Sequence, residues 1–324
     1  MMRAEFIHTL VGLAEKDPRV VLLSGDLGYT IIEPFVEKFP GRFFNVGVAE
    51  QNMIGVATGL AEQGFIPFVY SIVGFTALRP YEFIRNGPIL HQWPVRIIGI
   101  GGGFEYGTTG ITHYGLEDVA LMRIQKGMMV VLPCDVAQIS HVLKKTWDHP
   151  GPVYYRIGKG DRNFMSPLKG QYEPGKAYLV KDGKDVALMT YGNMTKNTLE
   201  AGEILASRGC SPAVILVTGF NPSPDEDLKK ILPNFKCVLT VEDHYIDGGL
   251  GSYVAEVIAE NNFSVQIYRC GVRSLYDGKI GSKDFLLDKH GLSPEKIART
   301  ALEKLKTRRP AFSAQGGAKK PVKL

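Results

Sequence analysis

Residues 42–64 read RFFNVGVAEQNMIGVATGLAEQG, and the fold follows from how this run divides. Phe43–Val46 is aromatic and β-branched, and the pair Pro40-Gly41 before it is a turn signal, so a strand is expected there. Met53, Ile54, Val56, Ala57 and Leu60 then recur among small residues with the period of a helix apolar enough to be largely buried. Glu50 stands at the junction, a lone carboxylate where the strand gives way to the helix. Two readings fit it at this level. A carboxylate in a first turn is favoured by the positive end of the helix dipole. The carboxyl end of a strand is also where open α/β sheets bind ligands.

Apolar runs and helical patterns alternate outward from this junction. Val20–Ser24, Phe43–Val46, Phe65–Ser71, Val95–Gly99, Met128–Leu132 and Val153–Arg156 read as strands, with helices near 4–15, 49–62, 76–87, 115–124 and 135–147. The alternation predicts an α/β fold, a doubly wound parallel sheet over residues 1–165. Residues 166–183, SPLKGQYEPGKAYLVKDG, are rich in Gly, Pro and Lys and read as a linker. Strands near 185–190, 213–217, 236–241 and 265–270, with helices near 194–208, 224–232, 249–260 and 294–306, predict a second, smaller doubly wound α/β domain over 184–306. Residues 307–324 are polar and Gly/Lys-rich, the composition of a disordered tail.

The composition is that of a water-soluble globular chain. Its 324 residues are 44% apolar, enough for about two domains with full cores. Part of the net charge of +5 lies in the tail after Lys304, and no basic stripe with interleaved aromatics marks a nucleic-acid surface. Cys134, Cys210, Cys237 and Cys270 follow neither metal nor disulfide spacing, as expected in a reducing compartment. The N-terminal segment reads as an amphipathic helix running into a strand, and no run is long enough to span a bilayer, so a cytoplasmic protein with no membrane partner is expected.

The unusual residues of the first domain gather after its strands. Asp26 follows VVLLS, Glu50 follows FFNV, and the loop GIGGGFEYGTTGITHYG follows PVRII. So many glycines suit backbone that approaches a ligand closely or moves. The loop is no dinucleotide fingerprint, because Phe104 stands where the third glycine is needed, and it lacks the Lys-Ser/Thr ending of a P-loop. His113 at its end reads by itself as a hydrogen-bonding structural histidine.

Taken in order, FPGRFFNVGVAEQNMIGVATGLAEQGFIPFVYS, LRPYEFIRNG, GITHYGLEDVALMRIQKGMMVVLPCD and GPVYYRIGKG resemble the pyrimidine-binding domain of the transketolase and deoxyxylulose-phosphate synthase family. Residues 184–306, with VEDHYIDGGLGS, resemble the C-terminal domain of the same enzymes. The resemblance implies that Glu50 hydrogen-bonds a ring nitrogen of the aminopyrimidine of thiamine diphosphate and promotes its imino tautomer. Burial among apolar neighbours is what lets a carboxyl group share a proton near neutrality. By the same resemblance Phe75 lines the aminopyrimidine pocket and Ile72 occupies the place of the principal stacking aromatic, while Asp26, by its place at a strand end, is a candidate cofactor-binding residue. His113, in THYG, matches the histidine placed near the substrate's reacting oxygens, and Arg156 and Arg3 match positions that bind a sugar phosphate.

Three departures shape the reading. Thr109 lies where transketolases place an aspartate, and Gly101 where they place a histidine, so the usual acceptor contacts are incomplete. The Gly-Asp-Gly motif that binds the metal of the diphosphate is also missing; KGDRN at 159–163 is too compact for it. No metal ligand is therefore expected in this chain. With Met1 opening directly on the pyrimidine-binding domain, the resemblance implies the C-terminal subunit of a split transketolase. A separate N-terminal subunit would bring Mg2+ and the diphosphate site, in an α2β2 heterotetramer that moves a two-carbon ketol unit between sugar phosphates. The alternatives are a β subunit of a 2-oxo-acid dehydrogenase or a deoxyxylulose-phosphate-synthase-like enzyme, and a non-catalytic assembly subunit.

Overall fold

The computed structural model describes residues 1–159, 164–274 and 278–306. Six strands, β1 Val20–Ser24, β2 Phe43–Asn45, β3 Ile66–Ile72, β4 Arg96–Ile100, β5 Met129–Val131 and β6 Val153–Ile157, form a parallel sheet in the order β5-β6-β4-β3-β1-β2. Helices α1 Met2–Lys16, α2 Glu33–Lys38, α3 Glu50–Glu62, α4 Val73–Ala77, α5 Tyr81–Ile84, α6 Asp118–Arg123 and α7 Val136–Thr146 lie between and around them. Strands β1, β4 and β6 are buried along their whole length, which is why they read as largely apolar runs, Arg96 and Arg156 excepted. Alternate residues of β1 serve two cores: Val21 and Leu23 pack with Met53, Ile54 and Ala57 of α3, while Val20 and Leu22 pack with Phe6 and Leu10 of α1.

The second sheet has the order β12-β11-β8-β9-β7, built from β7 Ala177–Lys181, β8 Val186–Thr190, β9 Pro212–Val217, β11 Cys237–Tyr245 and β12 Gln266–Val272. It carries α8 Thr195–Ser207, α9 Asp225–Ile231, α10 Leu250–Glu260, α11 Lys283–Lys289 and α12 Pro294–Lys306. Only β7 runs antiparallel in it, along β9. One short strand crosses over: β10, Gly219–Phe220, pairs antiparallel with β5 and makes the first sheet seven-stranded. The two halves therefore share backbone pairing.

Two expectations are corrected, and others fall short of or outside what the structure describes. Residues 166–183 are not all connector, because Ala177–Lys181 is an edge strand whose partly polar face hid it among Gly, Pro and Lys. The helix expected over 76–87 is broken into α4, α5 and a π-helical turn at Arg85–Ile89; Pro80 separates the first two and Pro88 lies inside the turn. Helices α2 and α11 were not foreseen, being single short pieces of six and seven residues. The tail 307–324 and most of the KGDRN segment lie outside the described residues.

Candidate active site

The carboxyl ends of β1, β3, β4 and β6 open toward one side, and the singular residues of the sequence collect there. Glu50 is the first residue of α3 and is 1% exposed. Its Oε2 accepts a hydrogen bond of 2.8 Å from Nη1 of Arg79, and its Oε1 is buried with no partner. A polar atom out of water and unbonded costs free energy, so this oxygen is an acceptor waiting for a donor. Gly25, just after β1, leaves room beside it: a Cβ there would sit 3.5 Å from Oε1.

Ile72 ends β3 and caps α4, and Phe75 lies half-buried one turn on. The Arg79 guanidinium rests over the Phe75 ring with Cζ 4.3 Å from its centroid. The ring of His113 meets Phe75 edge-on at 5.1 Å. Burial lowers the pKa of His113, and the charge of Arg79 pushes it further down, so the imidazole is neutral at pH 7. Nδ1 of His113 lies 2.9 Å from the Thr112 hydroxyl oxygen.

The line of rings continues to a basic end. Tyr106 stands 6.1 Å from His113, and Nζ of Lys159 sits 3.8 Å over its ring. Lys159 is just beyond β6, where its Nζ donates to the Glu105 carbonyl oxygen at 2.8 Å. Burial lowers its pKa, with Arg3 and Lys283 adding to the effect and Glu105 opposing it. Arg3, in the first turn of α1, joins this group through Tyr70 and Tyr106, and its Nε is buried without a partner. The backbone requires glycine at 101: its φ is +76°, and a Cβ there would run into the Tyr106 ring. Thr109 is exposed in a 3₁₀ turn.

Asp26 and Arg156 are placed otherwise. Asp26 is exposed in a left-handed conformation, with φ of 57°, and its carboxylate takes hydrogen bonds of 2.9 Å from Asn45 and from Tyr29, which hold its pKa down. Arg156 is 3% exposed inside β6. Its guanidinium donates to Asp118 Oδ2 at 3.0 Å, Asp243 Oδ1 at 2.8 Å, and the carbonyl oxygens of Gly115 and Asp243 at 3.0 and 3.2 Å. The expected phosphate contact through Arg156 is therefore corrected: its fork is spent on a buried cluster. Strand position carried the missed signal, since Lys159 lies past the carboxyl end of β6 and Arg156 within it. Arg79 and Tyr106 were also missed; Arg79 lies past the end of α4, so no helical spacing links it to Phe75.

The residues present fit the aminopyrimidine half of thiamine diphosphate. Glu50 Oε1 lacks a hydrogen-bond partner, Phe75 offers a flat face, and Ile72 caps the helix that carries Phe75. Comparison with known proteins agrees with this geometry. Residues 1–163 match the family model for the transketolase pyrimidine-binding domain, and residues 175–297 that for the transketolase C-terminal domain. A Methanocaldococcus jannaschii protein named as a transketolase C-terminal section is 37% identical over 94% of this chain and 96% of its own. A 6-deoxy-6-sulfo-D-fructose transketolase subunit of a Clostridium species is 35% identical over 93% of this chain and 94% of its own. A structure described as a split-gene transketolase, inactive β4 tetramer, superposes with a TM-score of 0.83 at 35% identity, covering 95% of this chain and 99% of that one. The chain belongs to the transketolase family, as a subunit of the split type that joins a pyrimidine-binding domain to a transketolase C-terminal domain.

Proposed function

We propose that this chain forms half of a two-chain transketolase and that, with a separate N-terminal subunit, it transfers a two-carbon ketol unit between sugar phosphates. The observation that carries the reading is the unpartnered, buried Oε1 of Glu50 beside Phe75 and Arg79. Thiamine diphosphate, when bound, supplies the carbon acid that holds the transferred unit, with Mg2+ and the diphosphate on the partner. Glu50 is placed to hydrogen-bond the ring nitrogen through the oxygen that has no partner of its own. Phe75 and Ile72 shape the ring's seat. His113, neutral and tied at Nδ1 to Thr112, keeps Nε2 for a substrate oxygen. Lys159 and Arg3 give the anionic end of the substrate a positive terminus in place of Arg156, and Tyr106 forms the wall between that terminus and His113.

The related structure described as an inactive β4 tetramer fits a chain that needs a second one, and an α2β2 assembly places the cofactor between them. The test is reconstitution. This chain alone should turn over no ketose phosphate, and adding a chain that carries the diphosphate and metal motif should start transfer from a ketose phosphate to an aldose phosphate. Turnover by this chain alone would overturn the two-chain reading. A complex that consumes a 2-oxo acid and ignores ketose phosphates would overturn the transketolase reading.

A further inference from the structure

The geometry points to Arg79 as an internal occupant of the aminopyrimidine seat, so that cofactor docking is an exchange in which the ring displaces a guanidinium. The inference rests on the proposed cofactor role of Glu50.

Two observations place Arg79 there. Its guanidinium lies over the ring of Phe75 at 4.3 Å, and the same group donates to Glu50 Oε2 at 2.8 Å. A bound aminopyrimidine would use those two partners in the same way, as a flat delocalised unit on an aromatic face with a nitrogen edge on the Glu50 carboxyl group. Guanidinium and aminopyrimidine also share N–C–N edges, so one can take the place of the other without moving Glu50 or Phe75.

A purely structural ion pair would look different. Glu50 is 1% exposed while the Arg79 side chain is 43% exposed, so the acid is fixed and the base reaches in from solvent. The contact is also single: Arg79 satisfies Oε2 only, and Oε1 keeps no partner. The buried cluster around Arg156 also leaves one oxygen each of Asp118 and Asp243 without a partner, but there the whole fork is engaged and the cation is out of water, and those two features set Arg79 apart. Arg79 follows α4 and precedes Pro80, outside regular helix, so its side chain can leave without unfolding an element. While the seat is empty, the guanidinium spares the chain an uncompensated buried carboxylate. Its position beside His113 links the exchange to the proposed substrate side, since withdrawal of Arg79 removes a positive charge next to that imidazole.

The test titrates thiamine, which carries the ring but no phosphate and needs no metal, into the full-length chain and follows binding by proton NMR. Arg79→Met should bind thiamine at least about tenfold more tightly than wild type, the scale of one charge-assisted hydrogen bond that no longer has to be broken. Arg79→Lys, which keeps the charge without the flat stack, should fall between them. In wild type the Arg79 Nε–H resonance should shift as thiamine saturates. Equal or weaker binding by Arg79→Met overturns the exchange while leaving the role of Glu50 intact. If Arg79→Met does not fold, the wild-type resonance decides, and an unmoved Arg79 signal at saturation overturns it. Thiamine binding to none of the three would overturn the aminopyrimidine reading of Glu50 and the exchange with it.

Discussion

Arg156 in β6 and Asp243 in β11 meet at 2.8 Å with both side chains out of solvent, and the contact ties the first sheet to the second. The same guanidinium holds Asp118 and the Gly115 carbonyl oxygen, which follow His113 in the chain. Arg156 thus anchors the loop of His113 from behind.

Arg156→Met should destabilise the chain by about 3–5 kcal/mol, because it strands two buried carboxylates. Denaturant unfolding measures the loss, and Arg156→Lys should recover little of it, since a point charge cannot meet both acids. An Arg156→Met chain as stable as wild type, with KM raised only for phosphorylated substrates, would restore the phosphate role for this residue.

Lys159→Met in the reconstituted complex should raise KM for phosphorylated acceptors about tenfold to a hundredfold and leave unphosphorylated analogues nearly unchanged. The pH dependence has a definite sign. Burial lowers the pKa of Lys159, so its charge is lost at lower pH than that of an ordinary lysine, and KM for the phosphorylated substrate should begin to rise there. A KM that Lys159→Met changes equally for both substrate classes would assign the lysine to packing.

Glu242 predicts a pH-dependent stability in the second sheet. Burial pushes its carboxyl up to about 8, against hydrogen bonds from the backbone N–H groups of Leu250 and Gly251 at 2.8 and 2.9 Å that pull it down. The folded chain therefore keeps a proton that the unfolded chain has lost above about pH 4.3. This stabilisation is complete below that pH and is lost as the pH rises toward about 8. The stability difference between wild type and Glu242→Gln should decline over that window by up to about 1.4 kcal/mol per pH unit. Parallel stability–pH curves for the two chains would show that Glu242 does not titrate there.

Arg79 and His113 give a fourth check. Arg79 adds to the depression of the His113 pKa, so Arg79→Met should raise it, read from the imidazole proton shifts across a pH titration. No change would place the guanidinium farther from His113 in solution.

Much of the fold was legible because parallel strands covered on both faces are largely apolar runs, as in VVLLS. What escaped was local and short. Edge strand β7 alternates weakly, β10 is two residues long, and Pro80 and Pro88 break a helical pattern that periodicity alone continues. In the site, Glu50 was legible because a strand end and a helix start define its place. Arg156 was misread because a motif match does not say which way a strand residue points. Arg79 was not legible at all, since its contact with a residue 29 positions away exists only once α3 and α4 pack beside the same strand.

The catalytic placement of Glu50 is the central claim, and Glu50→Gln in the reconstituted complex tests it most directly. Gln keeps the size and a hydrogen bond and is tolerated in a helix about as well as Glu, so fold and assembly should survive. Without a proton to share, exchange of the thiazolium carbon hydrogen for deuterium, followed by proton NMR, should slow by at least about a hundredfold. Exchange and turnover near wild type in a folded, assembled Glu50→Gln complex would contradict the account and leave Glu50 as a charge at the start of a helix.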